Sequence, residues 1–390
     1  MKEKDMGWSF RIAQVAGIDI KIHLTFFLIV ILGAIAGGVS YGAVGAAFGA
    51  LLILLLFLCV TLHELGHGIA ARAFGIPVRE IILLPLGGLA LLGRNPSKAW
   101  HELVIAAAGP LVNVIIAAVL LLVTGTALAF GIFDIDTLEI GRGAFPAPSI
   151  QGLTFWLLQA NVMLVLFNLI PAFPLDGGRI LRAVLAMIIG FRRATRIATF
   201  LGQSIAIVLG ILGIISGNFL LALVAVFIFL GAGQENAEGQ ARTMLDTMRV
   251  GDAYNRHALT LEIGDRVSKV VDYILTSYQP DFAVMQGSRL VGIVTRDDVL
   301  RALASDTRDL YVTGIMQREF VRVPAGATLD EVRQVMSAEG TRVVAVYEGE
   351  VYLGLVSIED ISEAYAVLSY LERQQEARRA QMARDVSGGG

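Results

Sequence analysis

From Leu24 to Leu62 the chain carries no formal charge. A hydrocarbon slab about 30 Å thick takes about 20 helical residues per crossing. This one run is therefore long enough to cross twice, and Gly37, Gly38, Ser40 and Gly42 mark where it turns back. Leu103–Phe133 supplies a third crossing, the stretch from about Leu153 to Leu169 a fourth, and Ile197–Gln234 a fifth and sixth divided at Ser216-Gly217-Asn218. With 55% hydrophobic and 17% charged residues, the composition fits an integral membrane protein with a soluble part better than a soluble enzyme. Because further spans follow the first apolar run, no cleavable signal peptide is expected.

The first run closes on His63-Glu64-Leu65-Gly66-His67. An ionisable group at the end of a membrane helix is costly, which makes it a functional candidate. Positions four apart share a helix face, so His63 and His67 can offer two imidazoles to one metal ion. Glu64 beside them can take a proton from a water that the metal acidifies. The competing interpretation is a polar helix end at the headgroup layer. Zn²⁺ needs at least a third protein ligand. Cys59, one turn earlier and the chain's single Cys, suits packing better than ligation and builds no disulfide framework.

Charge separates the chain near Gln234: up to there it has 14 Lys+Arg against 10 Asp+Glu, and beyond it 17 against 24. No basic nucleic-acid-binding face is apparent. Among the loops between spans, one set holds Lys2, Lys4, Arg11, Lys21, Arg72, Arg79, Arg94, Lys98, Arg179, Arg182, Arg192, Arg193 and Arg196, and the other only Arg142. Basic loops stay inside, so both termini and His67 are expected on the cytoplasmic side, in the plasma (inner) membrane of a prokaryote.

The fourth span ends on that same side with Asn168-Leu-Ile-Pro171-Ala-Phe-Pro174-Leu-Asp176-Gly-Gly-Arg179. Pro171 and Pro174 interrupt the helix, and Gly177-Gly178 permit a tight turn. Asp176 is then held where an interrupted span faces protein or water. It can cap a helix beside Arg179, or, with the two imidazoles, complete a zinc site.

These pieces, together with Ala108-Gly-Pro-Leu-Val-Asn113 on the third span, resemble the site-2 protease family, intramembrane zinc metalloproteases that include the sporulation-factor processing enzymes of bacteria. Order and spacing match over roughly residues 10–234. The resemblance implies His63, His67 and Asp176 as ligands of one Zn²⁺, Glu64 as catalytic base, and a role for Asn113 near the substrate carbonyl. From the residues alone, Asn113 is an amide in an uncharged span, suited to interhelical hydrogen bonding worth around 1 kcal/mol.

Val78–Arg94 is apolar but too short to cross, with Gly87-Gly88 marking a turn. A hairpin or edge strand at the membrane surface explains it, as does a re-entrant loop. An edge strand can pair with an extended peptide, which makes Leu84, Leu86, Gly87 and Gly88 candidate substrate contacts. The resemblance likewise implies a strand near the active site.

Beyond a polar linker the chain repeats itself: Gly292-Ile-Val-Thr-Arg-Asp-Asp-Val-Leu aligns with Gly354-Leu-Val-Ser-Ile-Glu-Asp-Ile-Ser. Each block is a strand, then Thr295 or Ser357, then Asp298 or Asp360 opening a helix. That spacing is also a capping box. The repeat resembles a pair of cystathionine-β-synthase-type (CBS) modules. Such pairs often bind adenine nucleotides with those residues near the ribose; others are structural or dimerising.

The expected fold is a multi-span α-helical membrane protein of about six transmembrane helices with a membrane-associated β-hairpin or edge strand, plus a soluble α/β CBS-pair domain. The expected parts are a transmembrane metalloprotease domain (1–234), a linker (235–244), the CBS pair (245–370) and a polar, disordered tail (371–390). The function expected is zinc endopeptidase activity on membrane protein or membrane-tethered substrates, modulated by an adenine nucleotide, with a homodimer through the CBS pair as a further possibility. A nucleotide-gated transporter would place polar residues along several spans, whereas here they gather at one end. An inactive scaffold would lack one of His63, Glu64, His67 or Asp176, and all are present.

Overall fold

A computed structural model of the chain describes residues 8–85, 87–93, 96, 98–133, 146–255, 258–277, 279–304 and 310–387. The chain divides into two compact units, Met1–Gly239 and Gln240–Gly390.

The first unit begins with two strands, β1 (Ser9–Val15) and β2 (Ile18–His23), which precede the long helix α1 (Phe26–Ala73). Helix α1 is two arms: Tyr41 and Gly42 leave helical geometry, and Gly42 has φ +60°. The arms fold back on each other, with Gly33 against Gly49 and Ile53, and Phe26 edge-on to Phe57 at 4.7 Å. The hairpin expected from the glycine cluster thus forms. After it come β3 (Val78–Leu84), β4 (Gly87–Leu92), α2 (Ala99–Ala129), α3 (Ile150–Asn168), α4 (Asp176–Ile189), α5 (Phe191–Ile215) and α6 (Phe219–Leu245). Among the described residues five helices, α1, α2, α3, α5 and α6, are long and apolar enough to cross a bilayer. The protein is an integral membrane protein.

The four strands form one sheet in the order β1-β2-β3-β4, with β2 and β3 parallel and the outer pairs antiparallel. Its apolar face is laid by the period-two run Ile18, Ile20, Ile22 on β2 and by Ile81 and Leu83 on β3. These side chains pack against Phe26, Phe57 and Leu65 of α1 and Ile105 of α2. On the opposite face Lys21, buried, is paired with Glu80 at 2.6 Å. A second ion cluster ties three helices together: Arg182 of α4 bonds to the buried Glu102 of α2 and to Glu235 of α6, with its guanidinium over the Phe173 ring.

The second unit contains α7 (Val250–Ala253) and two copies of one motif. The first copy is β5 (Thr260–Glu262), α8 (Val267–Ser277), β6 (Phe282–Gln286), β7 (Arg289–Val294) and α9 (Arg296–Ala304). The second is β8 (Arg322–Pro324), α10 (Leu329–Glu339), β9 (Val343–Glu348), β10 (Val351–Ser357) and α11 (Ile358–Ser387). Each copy builds a three-stranded sheet with its middle strand parallel to the first and antiparallel to the last. The sheets share a core of Ala283, Leu290, Ile293, Val343, Ala345 and Leu355. The stretch 235–244, expected as a linker, is helical, the last turns of α6. Likewise α11 continues to Ser387 through the tail expected to be disordered; Ala, Gln, Glu and Arg are all strong helix formers.

Candidate metal centre

The second arm of α1 brings His63 and His67 to one face, and the start of α4 delivers Asp176 to them. The three acceptor atoms form a near-equilateral triangle. His63 Nε2 and His67 Nε2 are 3.1 Å apart, and Asp176 Oδ2 is 3.2 Å from each. All three residues are buried.

Hydrogen bonds fix which nitrogens carry protons. His67 Nδ1 lies 2.7 Å from the Ile105 carbonyl, which can only accept, so Nδ1 holds the proton. His63 is fixed through a longer chain. The Leu157 carbonyl takes a hydrogen bond from Asn161 Nδ2 at 2.9 Å, so Asn161 Oδ1 accepts from Asn113 Nδ2 at 3.1 Å, and Asn113 Oδ1 accepts from His63 Nδ1 at 2.8 Å. In the neutral form of each ring, Nε2 is then the unprotonated nitrogen and is aimed at a carboxylate oxygen. Three acceptor-type atoms this close are held together by a shared proton or by a cation among them. A tetrahedral Zn²⁺ with bonds of about 2.0–2.2 Å holds its ligands about 3.3 Å apart, so the donor set fits that ion. Among the described residues this is the one cluster of metal-ligating side chains.

Asn113 thus touches His63, on the side of the ring away from His67 and Asp176. Its contact is with a ligand's outer nitrogen, where such bonds set ring orientation and basicity. Asn161, fully buried, is the next link, and it also donates to Cys59 Sγ at 3.4 Å. Cys59 accordingly stands beside this chain and outside the His-His-Asp triangle.

Two glycines shape the site. A Cβ on Gly109 of α2 would lie 2.2 Å from His67 Nε2 and 2.7 Å from His63 Nε2. A Cβ on Gly88 of β4 would lie 2.4 Å from Glu64 Cγ. Gly88 belongs to the edge of the sheet, so the half-buried Glu64 sits directly against an edge strand. The expected hairpin at Val78–Arg94 is present, but its two strands are unequal. Leu84 is on β3, which has neighbours on both sides, and pairs with Gly87; Gly87 and Gly88 open β4, the outer strand. Leu86 lies outside the described residues.

Comparison with known proteins places this geometry. The model of peptidase family M50 matches residues 51–212, and that of the CBS domain matches 250–305 and 312–367. The zinc metalloprotease MJ0392 of Methanocaldococcus jannaschii is 33% identical over 369 residues, covering 94% of this chain and 99% of that protein. This chain belongs to the M50 peptidases. The Synechocystis protein sll0528 is 30% identical over 358 residues, covering 86% and 89% of the two chains. A solved site-2 protease from M. jannaschii is 39% identical and covers 59% of this chain and 95% of that one, with a TM-score of 0.41. The M50 chain is a zinc metalloprotease whose His-His-Asp cluster is the candidate zinc site, joined to a CBS pair.

In that pair the two matched motifs differ. Asp298 Oδ2 accepts from Thr295 Oγ1 at 2.7 Å and from Gln317 Nε2 at 2.9 Å, while Arg301 bonds its Oδ1; the residue is buried. Asp360 Oδ2 accepts from Ser357 Oγ and N, both at 2.7 Å, and Asp360 also lines a cavity of about 300 Å³ with Met248, Ala253, Glu363, Ala364 and Leu368. Nearby, burial together with the charges of Glu359 and Asp360 pushes the Asp281 carboxyl up to about 6.

Proposed function

We propose that this M50 protease cuts transmembrane or membrane-tethered protein substrates within the bilayer, with His63, His67 and Asp176 holding Zn²⁺ and Glu64 as general base. The observation that carries the ligand assignment is the convergence of His63 Nε2, His67 Nε2 and Asp176 Oδ2 within 3.2 Å of one another. Zn²⁺ supplies Lewis acidity there, polarising the scissile carbonyl and acidifying water. Glu64, next to the ligands in sequence but outside the triangle, takes the proton from the attacking water and returns it to the leaving amine. Asn113 and Asn161 hold the His63 ring in the tautomer that presents Nε2. In this reading the termini and the site lie towards the cytoplasm, supported by the basic loops of one side. The test is incubation of the purified protein with single-span peptides, read by product mass, beside elemental analysis. His67→Ala with Asp176→Ala is expected to abolish both cleavage and bound zinc. Full zinc in that double variant sinks the assignment.

Strand β4 receives the substrate as an added strand beside Glu64. What supports this is that β4 is the outer strand of the sheet and that Gly88 brings it against the base. Its position narrows the substrate contacts to Gly87, Gly88 and the residues after them; Leu84→Pro would break an internal strand and report on folding instead. Pro substitution walked along Leu89, Ala90 and Leu91 is expected to slow cleavage well beyond Val at the same positions, because Pro removes an N–H donor while Val leaves the backbone intact. Equal slowing by Pro and Val, with zinc retained, argues for side-chain packing and against strand addition.

The CBS pair takes an adenine nucleoside or nucleotide at the Ser357–Asp360 cleft, and the Thr295–Asp298 position is self-occupied. The open cavity beside Asp360 supports the first half, and the Gln317 and Arg301 bonds to Asp298 the second. Acidic Glu363 and Asp360 at the cavity disfavour several phosphates, so affinity is expected to fall from adenosine through AMP to ATP. Calorimetry on the full chain with adenosine, AMP, ADP and ATP checks the order. Loss of binding in Asp360→Ala, with Asp298→Ala binding as wild type, is the expected signature; the reverse pattern, or no binding at millimolar ligand, overturns it.

A further inference from the structure

The sheet next to the metal centre has an apolar face that α1 covers only in part. Over β2 and β3 that face is buried: Ile18 is 0% exposed and Ile81 0%. Strand register carries the same face onto β1, since Phe10 pairs with Ile22 and Val15 with Ile18. There it lies open, with Phe10 58% and Val15 42% exposed, flanked by Trp8 at 64% and, at the bulge between Arg11 and Ala13, Ile12 at 57%. The opposite face of β1 is polar: Arg11 pairs with Lys21 in register and bonds Asp19 at 3.2 Å. An isolated exposed Leu is ordinary, but a contiguous apolar strand face with a polar reverse marks an interaction surface.

The surroundings identify what covers it. Leu24 N donates to the Trp8 carbonyl at 2.8 Å, which ties the stripe to the first turn of α1. From that point exposed Leu24, just before α1, and Phe27, Leu28 and Ile31 of its first arm continue the same apolar surface along a membrane-crossing helix. We propose that β1 is a lipid-interface anchor: Trp8, Phe10, Ile12 and Val15 sit in the headgroup–acyl boundary, with Arg11 on the aqueous side. Aromatic residues with an apolar body and a polar edge favour that layer, and an amphipathic element with one apolar face lies in the interface plane without spanning it. A consequence follows for the site. β1 and β4 are opposite edges of one hydrogen-bonded sheet, so holding β1 at the interface fixes the depth at which Gly88 meets Glu64.

The experiment uses the full chain in lipid vesicles with Trp100→Phe and Trp156→Phe, leaving Trp8 as the single tryptophan. Emission is read in vesicles brominated near the headgroup end of the acyl chain, in vesicles brominated near its terminus, and with aqueous iodide. Trp8 is expected to lose about half its emission to the shallow bromine, much less to the deep one, and little to iodide, as an interfacial aromatic does. A second reporter, F10W in a background with the three native tryptophans as Phe, is expected to give the same pattern; it guards against a local effect at residue 8. Quenching by iodide with none by either lipid overturns the proposal. So does emission blind to all three quenchers that changes when the protein is diluted into excess lipid, because a second copy then covers the stripe.

Discussion

Glu64→Gln is expected to lose peptide cleavage by at least about 10²–10⁴-fold, the contribution of a general base, while zinc content and fold stay those of wild type. The change is isosteric, so the close contact with Gly88 of β4 is kept. It removes only the ability to accept a proton. Glu64 lies outside the triangle formed by His63, His67 and Asp176, so its loss takes no donor from the cluster. Elemental analysis, thermal melting and product mass on the same preparation separate these outcomes. Turnover at the wild-type rate in the Gln variant rules the mechanism out; loss of zinc together with activity moves Glu64 from the proton path to the ligand set.

That prediction rests on residues legible in the sequence, and the reason is local. His63, Glu64 and His67 lie within one helical turn of each other, so helix geometry alone puts the imidazoles together. Asp176 was reachable because span counting placed it at the same membrane face. The spans followed from charge-free runs, and the break in α1 from its glycines. What the sequence withheld is tertiary. The direction of the Asn113 side chain is tertiary information, and only the fold shows its amide on His63 Nδ1. Asn161, like Asn113, is an amide inside an apolar span, and that is its signal in the sequence. The alternation Ile18, Ile20, Ile22 is equally visible in the sequence, but Arg11 and Lys21 beside it have the character of loop charges, and the structure has strands β1 and β2 there. The motifs of Asp298 and Asp360 match in sequence, and the bond from Gln317, outside either motif, to Asp298 is visible only in the fold.

The proposed regulation of the buried site by a ligand of the CBS pair has a set energetic requirement. A ligand alters activity only through a difference in its affinity for two states, and a tenfold change takes about 1.4 kcal/mol of coupling. Within the membrane unit, Arg182 joins α6 to α4, the helix that opens with Asp176. Movement of α6 at Glu235 therefore meets a charged link to the helix bearing Asp176 of the candidate zinc site, and breaking one partner of a buried ion pair is costly.

Gly109→Ala is expected to empty the metal centre. No ligand is changed, yet the added methyl would stand 2.2 Å from His67 Nε2, 2.5 Å from His67 Cε1 and 2.7 Å from His63 Nε2. Neither ring can retreat without giving up a bond that sets its tautomer, to the Ile105 carbonyl for His67 or to Asn113 for His63. The methyl also takes the space in which the donors converge. Zinc affinity should therefore fall by more than the roughly 10–100-fold that disturbing a ligand's hydrogen-bond partner costs, and cleavage should fall with it. Gly125→Ala on the same helix is the control, since nothing lies within 4 Å of the added carbon there. By helix propensity alone it should stabilise by about 0.5–1 kcal/mol, with zinc and cleavage unchanged. Zinc measured by elemental analysis after chelator challenge decides the case. If Gly109→Ala retains wild-type zinc under that challenge, the two rings are not held as described, and the tautomer argument for a cation at this centre fails with them.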